Sequence, residues 1–347
     1  MHFRINFFEV DAILEKLVMD EFEQRLSQRL NEVEDRLALL ERNQELAANA
    51  TRRAAIRRLW LRPPMWTFEQ HPPRALDLRS FPPSPSLPAA VPRIAMVTPS
   101  YNHGRYLDAT IDSVLGQNYP NLHYHIQDGA SLDGTLDILR SRGGIASWRS
   151  EPDNGQSQAI NRGFADVDSD IMAYLNSDDT LLPGTLAYVA NFFLARPDID
   201  IVYGHRVFID RDGLEVGRAV LPAHHAQTLR YADYVPQETM FWRRRVWQAV
   251  GPIDENFHYA LDWDFLLRAQ DKGFKFCRLP RFLACFRIHD QQKTAATYAV
   301  GDREMRALRL RSLGFSPTPM QIRRAIAPYV MRQTAYHWSY KLGLLRH

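Results

Sequence analysis

The chain has 347 residues, enough for one large domain or two smaller ones, with 45% hydrophobic and 24% charged residues, ordinary proportions for a globular protein. A net charge of +3 excludes a general polyanion binder, and the lack of any apolar run near ~18 residues excludes a membrane-spanning helix. Two cysteines, Cys277 and Cys285, are too few for a zinc site or a disulfide framework, and no signal-peptide core opens the chain. They read as buried strand residues of a cytoplasmic protein.

Residues 1–62 contain neither Gly nor Pro, and Leu26, Leu30, Val33, Leu37 and Leu40 follow one another at steps of four and three. That stripe predicts a helix with a coiled-coil seam. With Leu30 and Leu37 at a positions, Arg29 and Arg36 fall at g, and Glu34 and Glu41 at e, so Arg29–Glu34 and Arg36–Glu41 would pair between parallel chains. The expectation is a homo-oligomer joined through residues 10–47; packing of the helix on its own domain is the alternative. Residues 52–62 carry five arginines and no acid, with Ile56, Leu59 and Trp60 on one face. This suits an interface helix on anionic lipid, and a solvated helix end equally. Nine prolines between positions 63 and 92 then forbid helix and central strand and predict a linker, part of it laid across the next domain.

From 93 to 295 short apolar runs alternate with amphipathic stretches. Strands are predicted at 94–97, 124–126, 171–175 and 199–203, and helices at 107–115, 135–139, 158–164 and 186–194, with a hairpin turning at 210–213. Repeated βα units give an α/β fold with a mostly parallel sheet covered on both faces. Residues 296–347 return to helix. From 315 onward they contain Arg323, Arg324, Arg332, Lys341 and Arg346 with Tyr329, Tyr336, Trp338 and Tyr340, and no acid. Basic charge with aromatics suits the inner face of a membrane, whereas no nucleic-acid recognition motif appears; a solvated helix is the plain alternative.

The chemistry gathers in four polar loops after predicted strands: 98–104, 128–135, 151–157 and 176–179. The last ends an apolar run in the adjacent carboxylates of Asp178 and Asp179. Like charges side by side cannot be buried unpaired, and a hard divalent cation, Mg²⁺ or Mn²⁺, removes the conflict. Asp179 would serve equally well as a helix N-cap. Recurrence of such loops at one sheet edge is what a shared ligand cleft predicts.

The ordered set Thr98-Pro99-Ser100-Tyr101-Asn102, Asp128-Gly129-Ala130-Ser131-x-Asp133-Gly134-Thr135, Asp153-x-Gly155-x-x-x-Ala159-x-Asn161-x-Gly163, Leu175-Asn176-Ser177-Asp178-Asp179 and Asp262-Trp263-Asp264-x-x-Leu267-Arg268 resembles the inverting glycosyltransferases of family 2, with the GT-A fold. The resemblance covers residues 92–295 and is of the type that builds bacterial surface polysaccharide. It implies that Thr98, Pro99, Ser100, Asn102, Gln156 and Asn161 line the nucleotide end of the cleft. Asp128 would accept a hydrogen bond from the N3–H of a uracil. Asp178 would face the ribose or the metal and Asp179 the metal itself. His289 matches a late histidine that completes metal or diphosphate binding, an ordinary surface histidine being its alternative. Asp262 is the candidate general base that takes a proton from the acceptor hydroxyl, although Asp262 or Asp264 would also suit a helix N-cap. Asn176 departs from the Asp common at that position, which leaves the ligand set open.

In this family the segment of Gln237, Glu238 and Trp242 approaches the acceptor side, and Arg243, Arg244 and Arg245 could meet a lipid diphosphate or equally form a solvated charge cluster on a helix. The resemblance thus implies a metal-dependent transfer of a hexose from a nucleotide-sugar donor, UDP-linked, to a glycan or lipid-linked acceptor. Two rivals stand beside it. A nucleotidyltransferase would want a Gly-rich basic loop after the first strand, where this chain has Gly104 alone. A non-catalytic scaffold organised by the coiled coil would not need Asp178, Asp179 and Asp262.

Overall fold

The computed structural model describes residues 67–165, 167–290 and 298–345; the expected coiled coil and the arginine-rich stretch of residues 52–62 lie outside the described residues. Among the described residues nine strands follow in chain order: β1 (Ile94–Ser100), β2 (Leu122–Asp128), β3 (Ser147–Ser150), β4 (Ile171–Tyr174), β5 (Thr180–Leu181), β6 (Ile201–Ile209), β7 (Glu215–Ala219), β8 (Phe241–Arg243) and β9 (Phe276–Arg287). The helices are α1 (Gly104–Leu115), α2 (Thr135–Ser141), α3 (Gln156–Phe164), α4 (Thr185–Ala195), α5 (Ala226–Leu229), α6 (Arg244–Val250), α7 (Leu261–Asp271), α8 (Tyr298–Leu313) and α9 (Pro319–Lys341).

All strands join one sheet in the order β3-β2-β1-β4-β8-β6-β9-β5, with β7 paired to β6. Strands β1 to β4 pair in parallel, as right-handed βα units do, and β6 is parallel to β9. β8 lies antiparallel between β4 and β6, and the β6–β7 hairpin turns through the predicted 210–213 segment. Every residue of β1 is buried. Its side chains alternate between two cores: Ala95 and Val97 join Ile160, Trp263 and Phe265, while Ile94 and Met96 join Leu107, Ile111 and Leu186. Thus α3 and α7 cover one face, and α1 and α4 the other. The motif glycine Gly163 permits this closeness, because a Cβ there would lie 2.5 Å from Cγ1 of Val97.

The proline-rich segment, described from residue 67, is bonded to the domain along its length. Gln70 N–H donates to the Val216 carbonyl, Arg74 pairs with Glu215, Arg281 donates to the carbonyls of Pro82 and Pro83, and Asn191 to that of Ser86. At the other end α9 opens with a capping box of Thr318 and Gln321 and has Pro319 in its first turn. Its aromatic side faces inward: Tyr329 is fully buried, and Tyr336 and Tyr340 pack on the core around Phe282. Arg323, Arg324, Arg332 and Lys341 remain exposed. Among the described residues no helix is long and apolar enough to cross a membrane.

Candidate active site

Parallel strands β1 to β4 deliver their C-terminal loops to one edge of the sheet. The loops after β1 and β2 are tied together. Asn102, at φ +53°, donates its N–H to Ser131 Oγ and accepts from Leu132 N–H, and Gly104 N–H donates to Asp133. Asp128 is fully buried and accepts from Ser131 N–H (2.9 Å), Ser131 Oγ (2.5 Å) and Ser150 Oγ (2.6 Å). Its carboxylate therefore ties the β2 loop to the end of β3, which uses both oxygens expected to meet a uracil. Gly129 lets the backbone pass close to its neighbours, since an added Cβ would come within 3.0 Å of Asp153 Oδ2 and 3.3 Å of the Tyr101 ring. Tyr101 is exposed, and Ser100 Oγ has no hydrogen-bond partner.

After β4 the chain turns sharply, with Asp179 N–H donating to the Asn176 carbonyl, and Thr110 of α1 donating to the carbonyls of Ser177 and Asp179. This holds Asp178 toward His289, whose Nε2 is 3.0 Å from Asp178 Oδ2. His103, at the head of α1, completes a group in which one ligand atom from each of His103, Asp178 and His289 lies within 4.8 Å of the others. Ser177 Oγ sits 2.8 Å from His103 Nδ1, which leaves the other ring nitrogen for a cation. Burial lowers the His103 pKa, opposed by the Asp178 carboxylate, and this keeps the imidazole in its ligating neutral form.

Asp179, the expected metal ligand, lies outside that group. The pairing of β5 with β9 begins one residue later and draws its side chain under the turn, where Oδ1 accepts Arg287 N–H (2.9 Å) and Oδ2 is buried without a partner. Burial, reinforced by Asp178 and Glu238, raises its pKa far above the carboxylate range. Two imidazoles with a carboxylate, beside orphaned buried atoms at His289 Nδ1 and Asp179 Oδ2, fit a divalent transition ion such as Mn²⁺ better than Mg²⁺, which prefers oxygen alone.

One cavity of about 520 Å³ links Gln156 and Asn176 to Asp262, and its wall also carries Arg206, Asp233, Gln237 and Glu238. Gln156 donates to Asn176 Oδ1 (2.7 Å), and Gln237 donates to the Tyr174 carbonyl (2.7 Å). Asp262 occupies the first turn of α7, half-buried, with Oδ1 accepting Trp263 N–H (2.9 Å); burial pushes its pKa up to about 6. Asp264 turns the other way. It is fully buried and holds Arg268 (2.7 Å) and Arg311 (2.5 Å), so it anchors α7 to α8. Asp233 and Arg206 escaped the sequence reading, since neither sits in a recurring motif. Burial and the nearby Asp262 raise the Asp233 pKa far above its usual range, and Arg206 grips Glu238 with both nitrogens (2.6 and 2.5 Å).

Several expected contacts move elsewhere. Thr98 is fully buried, its hydroxyl 3.0 Å from that of Tyr124, so it supports the strand and cannot touch a nucleotide. Pro99 is likewise buried in β1. Asn161 spends its amide on both backbone groups of Ile253 and braces the 253–255 turn. Trp242 is fully buried between Phe164, Tyr174 and Phe265, because β8 lies inside the sheet with apolar cover on both sides; it offers no face to an acceptor. The arginines after it lie at the opposite end of β4. Arg243 donates to carbonyls of Phe193, Arg196 and Ile199, while Arg244 pairs with Asp168 and Arg245 with Asp200.

Comparison with known proteins places these features in a wider set. The model of the family described as "Glycosyl transferase family 2" matches residues 96–251. An uncharacterized glycosyltransferase of Mycobacterium tuberculosis is 30% identical over 184 residues, 52% of this chain and 70% of that protein. Among solved structures, S. aureus TarS 1–349 in complex with UDP-GlcNAc superposes with a TM-score of 0.55 at 16% identity, over 70% of this chain and 73% of that one. The mannosyltransferase PcManGT from Pyrobaculum calidifontis, in complex with GDP-Man and Mn²⁺, gives 0.51 at 17%, over 84% and 83%. At such identities the two structures share the fold.

Proposed function

The chain belongs to glycosyl transferase family 2, and from that membership we propose a metal-dependent, inverting hexosyltransferase that uses a UDP-sugar and a hydroxyl acceptor in surface-polysaccharide synthesis. The observation that carries this reading is that Asp262 opens on the same cavity as Asn176, two residues from the Asp178 cluster. A single displacement needs a base on one side of the anomeric carbon and a leaving group on the other, and direct displacement inverts the configuration.

The uracil lies against the exposed Tyr101 ring, with Asp153 accepting N3–H and Ser100 near the ribose. His103, Asp178 and His289 would hold the ion, Mn²⁺ by its donor set, as the Mn²⁺ complex of PcManGT supports. Such an ion supplies positive charge against the diphosphate leaving group. Gln156 keeps Asn176 turned toward the donor. Asp262 accepts the proton of the acceptor hydroxyl, and Gln237, whose Oε1 is buried without a partner, orients that hydroxyl's neighbours. Glu238 stays clamped by Arg206 and shapes the wall.

The exposed arginines of α9, with Met331 beside them at 72% exposure, support peripheral contact with an anionic membrane. Self-association through residues 10–47 rests on the seam alone. Calorimetric titration of UDP, GDP and CDP with and without Mn²⁺ tests the donor reading. Tight binding of UDP that requires Mn²⁺ is expected, and equal binding of all three without metal refutes it.

A further inference from the structure

Beyond Asp262 the cavity continues to the C-terminal helices, where Met305 of α8 and Ile322 and Ile326 of α9 face Val235 across it. Spacing of four along α9 puts the two isoleucines on one side, and Tyr329 and Gln333 continue that side into the interior. Gln333 is the unexpected member. It is 0% exposed, it lines the cavity, and neither amide atom has a hydrogen-bond partner. A buried amide left unpaired is costly, and a ligand oxygen or N–H would settle it. The charged groups on this wall are already committed. Arg206 holds Glu238, and Arg309 donates to the Tyr231 carbonyl and lies 5.4 Å over the Trp263 ring. The acids Asp233 and Asp262 line the same cavity.

We propose that this part of the cavity is the acceptor subsite and that its ligand is a glycoside with an uncharged apolar aglycone. The aglycone lies against Met305, Ile322 and Ile326, and Gln333 bonds an oxygen at the sugar–aglycone junction. A lipid diphosphate fits poorly, since no uncommitted cation lines the wall among the described residues, while the Asp262 carboxylate does. The size and mainly apolar lining with a few placed polar groups are those of a small-molecule site. The inference rests on the transferase reading, because Asp262 defines which end of the cavity receives the sugar hydroxyl.

The test is ligand-observed NMR titration of the full chain, with UDP and Mn²⁺ present, using methyl β-D-glucoside, octyl β-D-glucoside below its micelle concentration, and farnesyl diphosphate. The octyl glycoside should bind at least about tenfold tighter than the methyl one, from burial of only part of its chain. Ile326→Asn should cut that ratio at least about threefold, and Gln333→Leu should weaken both glycosides by about threefold to tenfold, the worth of one hydrogen bond. UDP affinity measured on each variant guards against misfolding. Equal binding of the two glycosides, tighter binding of farnesyl diphosphate, or a preference untouched by Ile326→Asn overturns the proposal while leaving the transferase reading intact. A stabilised Gln333→Leu chain with unchanged glycoside affinity removes Gln333 from the subsite. Failure of UDP itself to bind would strike the transferase reading instead.

Discussion

Replacing Asp262 with Asn separates the base from everything else that side chain does. Asn keeps the shape and the oxygen that accepts Trp263 N–H at 2.9 Å, so α7 retains its start. What disappears is a carboxylate whose pKa burial raises from 3.8 to about 6. That value leaves it mostly ionised at pH 7 yet a stronger base than an ordinary aspartate. General-base loss costs about 10²–10⁴-fold in rate, so kcat should fall by that factor while UDP and Mn²⁺ still bind. The pH profile carries a second signature. Wild-type kcat/KM should rise with pH through about 6, as Asp262 ionises, and that limb should be missing from the residual rate of Asp262→Asn.

Stability moves in the opposite sense. A carboxyl whose folded pKa lies above its unfolded value costs nothing below pH ~4, where both states are protonated, and progressively destabilises the fold as pH rises through about 6. The full penalty at neutral pH is on the order of 2–3 kcal/mol, and Asp262→Asn abolishes it. The variant should therefore melt higher than wild type at pH 7.5 and nearly equal to it at pH 4. Radiolabelled sugar transfer and thermal melts read the two effects. A variant retaining more than a tenth of wild-type kcat, with the pH limb in place, would show that another group takes the proton.

Other residues give independent tests. His103→Ala should weaken Mn²⁺ affinity at least about tenfold by calorimetry, whereas a role for His103 in the helix start alone would leave that affinity unchanged. Trp242→Ala should lower unfolding free energy by about 3–5 kcal/mol in urea titration, because its indole is fully buried; a mild loss of stability with a selective loss of acceptor binding would return it to the cleft. Asp264→Ala strips Arg268 and Arg311 of their shared partner and should destabilise the chain by about 3 kcal/mol or less, both arginines being partly hydrated. Its UDP binding should persist.

The sheet was readable where one local pattern sufficed. Apolar runs at 94–97, 124–126 and 171–175 are β1, β2 and β4, and the hairpin formed where Asp210 and Gly213 suggested it. Trp242 was expected on the acceptor side because a strand of three residues leaves little local signal; only the place of β8 between β4 and β6 shows that both its sides are covered. Thr98 was misread for a related reason, since a polar residue near a strand end satisfied itself internally on Tyr124. His103 and Asp233 needed three-dimensional proximity to be seen at all. The choice between Asp262 and Asp264 is one of helical phase: two residues apart on α7, they face nearly opposite directions, one to the cavity and one to Arg311.

His103, Asp178 and His289 are separated by 75 and 111 residues along the chain. No fragment that ends before residue 289 can assemble all three, so during synthesis the proposed cation centre arises late, after β9 has threaded beside β6 and paired with β5. An ion that binds only the finished arrangement then acts as a late lock, adding stability in proportion to RT ln(1 + [ion]/Kd) and nothing to earlier intermediates. Manganese supply during expression should accordingly govern how slowly the finished chain unfolds more than how quickly it first collapses.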